Sequence, residues 1–441
     1  HGKSALGSFT RSARRVYRPA IAALLLTGSV TAYAEQPIID NSNPDQTVMS
    51  FYELAYADGV VCTGRTANVR PETSSGTLSG TASYMFENTS GQEQTVYFGV
   101  KPGYDIISVS ANGENTSYTV SNYQEFNEAL LEITIPASES VELVIEYGGY
   151  PREDRNMSTM QGSSEISSEY ICLENAALAP RLINVLPHEN MYPSVIEIIV
   201  PSAMTVIPFG SSDAEIISTN GDGTSTWRYE TNGTGGILYA GDYIRTDIEA
   251  GGITIEFYYG RKHQAVMESA GAANAVKAVV DYCTEHYGPL SFGSGGSLKL
   301  IQSRGTGGGY ATNGASLLDE SDFTADNLSD SGKGAGAGEV MIHEVVHQWW
   351  GLGNMFDSSD SSSPWSAEGL TVYTTYRIVK ELYGEEYARA NYIEHWQEAV
   401  NSYYLNFYVR NPEYLAALPE AEQLEIASPM FANTARCRSR Y

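Results

Sequence analysis

The hydrophobic pattern changes once along the chain, and this change constrains the fold more than any other feature of the sequence. From about Glu35 to Tyr259, short apolar runs alternate with clusters of Gly, Asn, Pro and Ser. The runs TVYFGV, LLEITIP, VELVIEY, SVIEIIVP and ITIEFYYG are rich in β-branched and aromatic residues. Strands at this spacing, separated by turns, predict an antiparallel β-sandwich-like N-terminal domain over residues 35–260.

After Arg261 the pattern becomes helical. Apolar side chains recur at helix spacing at Val276, Val279 or Val280, Cys283 and Tyr287. Gly288 and Pro289 then end this helix, and the run SLKLIQS after them is typical of a strand. Further helices are predicted over about 339–350, 364–383 and 385–405. We therefore expect a multidomain α+β protein with a boundary at 259–263 and a mostly helical second domain over 261–441.

The charge of the chain argues against nucleic acid as a partner. Its 441 residues include 26 Lys and Arg but 53 Asp and Glu, for a net charge of −27. Such an acidic surface repels phosphate backbones, so non-specific binding to DNA or RNA is excluded as a function class. The length allows two domains that each bury a core. Nothing in the sequence indicates an oligomeric state.

The first 34 residues have the features of a secretory signal peptide. Five Lys and Arg residues and no acid precede the short apolar run AIAALLLTGSV, and AYA at 32–34 is a small-residue cleavage site. About eleven apolar residues are too few to span a bilayer, and no later stretch is long and apolar enough. The sequence therefore predicts cleavage near Ala34 and export to the periplasm, the cell surface or the medium, without a transmembrane segment.

The four cysteines do not have the spacing of a zinc site. Cys62, Cys172, Cys283 and Cys437 are far apart in the sequence and permit three pairings if all are oxidised. Cys283 lies in phase with the apolar face of its predicted helix, so we expect a buried thiol. A bridge between Cys62 and Cys172 remains open for an exported protein.

The stretch IHEVVHQWWGLG carries the chemistry. On a helix, His343 and His347 lie one turn apart on the same face, so both imidazoles can reach one ion. Glu344 follows the first histidine by one residue and therefore projects beside the ion. A general base that takes a proton from the attacking water needs this position.

A third ligand is predicted on a second helix. Gly351 and Gly353 end the first helix, and Ser363 and Pro364 are an N-cap and a first-turn proline. Glu368 follows in that second helix. Two imidazoles and one carboxylate leave a fourth tetrahedral position open, which is the layout of a catalytic zinc site.

These residues resemble a known family. HEVVHQWWG followed by WSAEGLTVY is similar to the zinc aminopeptidases of the membrane alanine aminopeptidase family, gluzincins with a thermolysin-like catalytic domain. SVIEIIVPSAMTVIPFG and LYAGDYIRTDIEAGGITIEFYYG are more loosely similar to the family's N-terminal β domain. The resemblance implies one Zn²⁺ per chain, a peptide or protein substrate, metal ligands His343, His347 and Glu368, and Glu344 as the catalytic base.

The chain departs from this family upstream of the metal motif. The family has a Gly-Ala-Met-Glu-Asn-like strand whose backbone pairs with the substrate and whose glutamate holds the substrate's amino terminus. GYATN at 309–313 is the best match, and its Gly309 and Asn313 agree with the family, but Thr312 stands in place of the glutamate. A neutral hydroxyl cannot form a charge-assisted pair with an ammonium group. Endopeptidase action therefore remains an alternative, as does a mobile loop without a binding role.

Two further departures concern the C-terminal part. Twenty residues separate His347 from Glu368, whereas the family usually has eighteen. The family's oxyanion-stabilising tyrosine has no assignable counterpart, because the chain ends in ANTARCRSRY. The resemblance therefore implies a catalytic domain that is incomplete at its C-terminus. A catalytically impaired zinc-binding surface or adhesion module is the alternative function.

Overall fold

A computed structural model describes most of the chain. The described residues are 54–122, 128–152, 164–185, 192–210, 212–232, 236–290, 296–304, 309–324, 337–352, 365–405 and 407–419. The predicted signal peptide at 1–34 lies outside them, and so do Gly353, Ser363, Pro364 and Cys437. None of the helices in the described ranges is long and apolar enough to cross a bilayer.

The N-terminal part consists of strands, as the alternating pattern predicts. The described residues before Tyr243 contain β1 (Val60–Glu72), β2 (Thr77–Asn88), β3 (Gln94–Val100), β4 (Tyr104–Ala111), β5 (Glu114–Asn115), β6 (Tyr118–Asn122), β7 (Ala129–Ile135), β8 (Val141–Gly149), β9 (Glu165–Ile166), β10 (Tyr170–Glu174), β11 (Arg181–Leu182), β12 (Pro193–Pro201), β13 (Thr205–Pro208), β14 (Glu215–Thr219), β15 (Thr224–Asn232) and β16 (Ile237–Gly241). Buried residues alternate with exposed ones along β1 and with half-buried ones along β12, because one face of the sheet packs on the core.

These strands form three sheets around one hydrophobic core. The largest has the order β14-β15-β12-β1-β2-β8-β4-β5, and the two smaller sheets have the orders β13-β16-β10-β9 and β11-β3-β7-β6. Side chains from all three sheets meet in the core, among them Tyr84, Phe98, Ile133 and Leu238. The predicted β-rich N-terminal part is confirmed. It is not wholly antiparallel, because β12 returns from the smaller sheets to pair in parallel with β1.

A fourth set of strands forms the sheet on which the site is built. It comprises β17 (Tyr243–Ala250), β18 (Ile253–Gly260), β19 (Leu298–Ser303), β20 (Gly309–Thr312) and β21 (Ala315–Asp319). The order is β17-β18-β19-β21-β20, with parallel pairs β18–β19 and β19–β21 and with β20 at the edge. β19 and β21 are buried throughout, because helices cover one face of this sheet and the strands β10, β13 and β16 cover the other. Among the described residues after Arg261, helices predominate, as expected, and the strands β19, β20 and β21 join β17 and β18 in one mixed sheet.

The helices lie where the sequence predicts them, with different ends. They are α1 (Gln264–Ala270), α2 (Ala272–Tyr287), α3 (Ala337–Val346), α4 (Leu370–Tyr383), α5 (Glu385–Ala388), α6 (Glu394–Leu405), α7 (Phe407–Arg410) and α8 (Pro412–Leu415). Wider π-helical turns at Trp365–Gly369 and Arg389–Ile393 precede α4 and α6. Such turns interrupt regular helices and are often found at functional sites.

The change of sheet falls earlier than the predicted domain boundary. β18 pairs with β19, so residues 243–260 belong to the sheet that carries the site. A core of Phe257, Val276, Leu300 and Ile342 joins this sheet to α2 and α3. The sheets thus change between Gly241 and Tyr243, although the division into two domains stays a prediction.

The cysteines of the described residues are free thiols. Cys62, Cys172 and Cys283 are all buried, as expected for Cys283. The open alternative of a Cys62–Cys172 bridge is not realised. The physical reason is that Cys62 lies in the core of the three N-terminal sheets, whereas Cys172 lies in a separate cluster with Tyr239 and Tyr310.

Candidate metal centre

The three predicted ligands lie together. The Nε2 atoms of His343 and His347 are 3.0 Å apart. Glu368 places Oε2 3.3 Å from Nε2 of His343 and Oε1 3.6 Å from Nε2 of His347. The two imidazole planes are nearly perpendicular, at 88°. A helical segment thus presents two nitrogen atoms, and a second segment brings a carboxylate to both.

The spacing of these atoms fits a zinc ion. Zinc bonds of about 2.0–2.1 Å in a tetrahedron put neighbouring ligand atoms roughly 3.3 Å apart. The observed separations of 3.0, 3.3 and 3.6 Å bracket this value. Two imidazoles and one carboxylate suit zinc, whereas Ca²⁺ and Mg²⁺ prefer oxygen ligands. The residues present therefore fit the metal that the resemblance implies.

Hydrogen bonds orient the ring of His347. Its Nδ1 lies 3.1 Å from the carbonyl oxygen of Trp350 and 3.2 Å from Oγ1 of Thr371. The Thr371 hydroxyl donates its own hydrogen to the carbonyl oxygen of Ala367, at 2.6 Å. Its oxygen is therefore left to accept from Nδ1–H of His347. With the proton held on Nδ1, Nε2 keeps its lone pair toward the metal position.

The turn after α3 packs against the segment that carries the third ligand. Gly351 has φ +88°, and a Cβ there would come within 2.9 Å of the Cβ of Ala367. A side chain at Gly351 would therefore push apart the two segments that share the metal position. Nε1–H of Trp350 also donates to Oγ1 of Thr374 in α4, at 2.9 Å. The sequence assigns the helix end to this glycine, but α3 ends earlier, at Val346, and Gly351 instead permits the close approach of the two segments.

The proposed base packs against the edge strand. Glu344 is buried, with an exposed fraction of 3%. A Cβ added at Gly309 would lie 2.2 Å from Cγ and 2.7 Å from Oε1 of Glu344. Only glycine therefore lets β20 come this close to the carboxylate. On the neighbouring strand, the hydroxyl of Ser316 donates to the carbonyl oxygen of Glu344 at 2.9 Å.

The residues predicted to bind substrate lie on this edge. Gly309–Thr312 form β20, which pairs only with β21 among the described strands, and Asn313 follows in the turn between them. The alternative of a loop is thus wrong for 309–312. A strand at the edge of a sheet can pair its free backbone groups with an extended peptide. The binding role of Gly309, Thr312 and Asn313 stays a prediction.

Sequence analysis missed Gln348. The residue directly follows a metal ligand, and only 1% of it is exposed. Its Oε1 accepts from the Gly314 N–H at 3.1 Å, and its Nε2 donates to the Thr312 carbonyl oxygen at 2.9 Å. A polar residue beside the motif is the only signal that the sequence offers, because its partners lie more than thirty residues away.

Sequence analysis also missed Glu339. This residue lies one helical turn before His343, and burial raises the pKa of its carboxyl group to about 7. The hydroxyl of Tyr387 donates to its Oε1 at 3.5 Å, and Tyr392 also bonds to it. The start of α3 is therefore tied to α5 and to the π-helical turn after it.

Comparison with known proteins finds a shared fold and two relatives that match over short segments. The structure superposes on an M1 zinc metallopeptidase from Deinococcus radiodurans with a TM-score of 0.50 and 13% identity, covering 80% of this chain and 78% of that chain. The chain shares the fold of an M1 zinc metallopeptidase. This agrees with the family that the metal motif resembles.

The relatives found by sequence match only short segments of this chain. A leukotriene A-4 hydrolase from Xenopus laevis is 38% identical over 63 residues, which are 14% of this chain and 10% of that protein. A leucine aminopeptidase 2 from Emericella nidulans is 32% identical over 81 residues, or 18% of this chain and 12% of that protein. No protein-family model matches the chain. The sequence matches thus span about a tenth of each relative's length.

Proposed function

We propose that this chain is a zinc-dependent peptidase that hydrolyses peptide bonds with Glu344 as general base. The observation that carries the proposal is the meeting of His343, His347 and Glu368, whose ligand atoms all lie within 4.8 Å of one another. The M1 zinc metallopeptidase fold supports it. So do the short matches to a hydrolase and an aminopeptidase.

The ligands would hold one Zn²⁺ through two imidazole nitrogens and one carboxylate. Zinc at such a site lowers the pKa of a water molecule and polarises the scissile carbonyl group. Glu344 follows the ligand His343 in the helix, and its buried carboxylate accepts the proton of the attacking water. It then delivers that proton to the leaving amine.

The substrate in this proposal is an extended peptide. Among the described strands, β20 lies at the edge of its sheet, and its Gly309 lies against Glu344. A peptide paired with this edge passes beside the base, as in strand addition to other sheet edges. Thr312 in this strand carries no charge, which favours endopeptidase action as the second candidate function.

The first prediction tests the base. Glu344→Gln should retain zinc and lose peptide hydrolysis by about 100-fold or more, because a neutral amide cannot accept the proton of water. Zinc content is measured by elemental analysis. Hydrolysis is measured with fluorogenic peptides that have either free or blocked amino termini. The matched control is Glu398→Gln, on the exposed surface of α6, which should keep full activity.

The same experiment separates the candidate functions. Cleavage of blocked peptides alone by the wild type would identify an endopeptidase, and a requirement for a free amino terminus would identify an aminopeptidase. Zinc binding without any cleavage would favour the binding module. Undiminished hydrolysis by the Glu344→Gln variant would refute the proposed role of Glu344.

A further inference from the structure

Gln348 connects the metal segment to the hairpin of β20 and β21. Its carboxamide uses both ends: Oε1 accepts from the N–H of Gly314, and Nε2 donates to the carbonyl oxygen of Thr312. These two backbone groups flank the turn between the strands. Because the side chain is almost fully buried, water cannot replace either bond when the amide is removed.

The hairpin contacts the metal helix at two other places. Gly309, at the start of β20, leaves no room for a Cβ above the side chain of Glu344. The Ser316 hydroxyl on β21 bonds to the main-chain carbonyl of the same glutamate. Gly309 lets one end of β20 lie directly against Glu344, and the amide of Gln348 holds the other end at Thr312. The position of β20 relative to Glu344 is therefore fixed at both ends of the strand.

We propose that Gln348 is a positioning residue, which sets the register between the substrate-pairing edge of β20 and the metal site. The inference rests on the proposed peptidase function. A peptide on this edge takes its position from the backbone of β20. If the strand shifts, the scissile bond moves relative to Glu344 and the ligands. A small molecule that touches only the metal and Glu344 does not respond to such a shift.

Two zinc-binding inhibitors measure this difference. Acetohydroxamate reaches the metal and the base alone, whereas a peptidyl hydroxamate also lies along the strand. In the zinc-loaded Gln348→Met variant, the peptidyl hydroxamate should lose about tenfold or more in affinity, because small displacements of a bound substrate are costly. Acetohydroxamate should bind as it does to the wild type. The ratio of the two affinities is the measured quantity.

Gln302→Met is the matched control. Gln302 in β19 of the same sheet is also buried, and its Oε1 accepts from the backbone N–H of Gly260 at 3.0 Å and lies 2.9 Å from Nδ1 of His263. Its loss removes side-chain hydrogen bonds without touching β20, so the affinity ratio should stay at the wild-type value. Gln348→Asn is a milder second variant, because its shorter amide can reach only one of the two partners. It should lower the ratio by less.

The outcomes separate this inference from the proposed function. If Gln348→Met and Gln348→Asn weaken both inhibitors by the same factor, or leave the ratio unchanged, Gln348 is only structural. An equal fall of the ratio in Gln302→Met would also overturn the inference. If the wild type binds neither zinc nor acetohydroxamate, the proposed peptidase function fails instead.

Discussion

At the scale of single residues, the site depends on the hydrogen bonds that hold a ligand on the side away from the metal position. His347 is the clearest case, because Trp350 and Thr371 both offer an oxygen to its Nδ1. Thr371 is fully buried and also bonds to Ala367, the residue before the ligand Glu368. One hydroxyl thus contacts one metal ligand and the backbone next to another.

The Thr371→Val variant tests this contact. Valine has the same shape but cannot accept from His347, so zinc affinity should fall about tenfold, the low end for residues that support a metal ligand. The Trp350 carbonyl remains as an acceptor, which limits the loss. Affinity is measured by competition with a chromophoric chelator. Thr375→Val is the control, since the Thr375 hydroxyl donates to the Thr371 carbonyl oxygen. Equal losses of zinc affinity in the two variants would contradict the role assigned to Thr371.

At the scale of elements, α3 organises the site. The helix and the turn after it carry two ligands, the proposed base and Gln348, and each of these faces a different neighbour. The first turn adds the half-buried Glu339, which meets Tyr387 and Tyr392 from the segment 385–393. A carboxyl group in this position resists ionisation, because charge is costly in a site with little water.

Glu339 should therefore make stability depend on pH. The folded protein holds its proton up to about pH 7, whereas the unfolded chain releases it near the ordinary pKa of 4.5. The free energy of unfolding should fall as the pH rises from 4.5 to 7, by at most about 3 kcal/mol, and this contribution should not change further above pH 7. Glu339→Gln removes the charge, so the variant should be more stable than the wild type at pH 8.

The measurement is denaturant unfolding of the wild type and Glu339→Gln at several pH values. The difference in free energy between the two should change with pH from 5 to 7 and then stay constant. The control Glu398→Gln changes an exposed residue of α6. Its free energy of unfolding should depend on pH in the same way as that of the wild type. If the free energies of unfolding of the wild type and Glu339→Gln differ by a constant amount over the whole pH range, the Glu339 carboxyl group is not the cause of the pH dependence.

At the scale of the whole molecule, the hydrophobic cores keep the thiols of Cys62, Cys172 and Cys283 away from solvent and reagents. Burial raises the pKa of the Cys62 thiol to about 12, and it raises the pKa of Cys172 and Cys283 well above the usual value. A thiol reacts through its thiolate, so these three residues should be inert while the fold is intact. They lie in three different clusters, which cover both the β part and the site-bearing part.

Thiol labelling tests this view of the fold. In the Cys437→Ser variant, native protein should not react with iodoacetamide at pH 8. After denaturation without reductant, all three remaining thiols should react. A denatured sample with only one reactive thiol would reveal a disulfide and would show that Cys62 and Cys172 pair after all. The single reactive residue is identified by mass spectrometry.

The sequence by itself determined the features that depend on neighbours along the chain. The alternation of apolar residues gave the strands of the N-terminal part, and the four-residue spacing of His343 and His347 put two imidazoles on one face. These patterns can be read because helices and strands have fixed periods. The signals for a second helix start and the resemblance both indicated Glu368, which the structure places at the two histidines.

Only the tertiary structure decided which distant segments meet at this face. It brought β20 against Glu344, gave Gln348 its partners at Thr312 and Gly314, and placed Glu339 within hydrogen-bond distance of Tyr387. It also joined β17 and β18 to β19 in the sheet that carries the site, and it paired β1 in parallel with β12. No period in the sequence encodes these contacts, because they depend on how sheets and helices pack once the chain has folded.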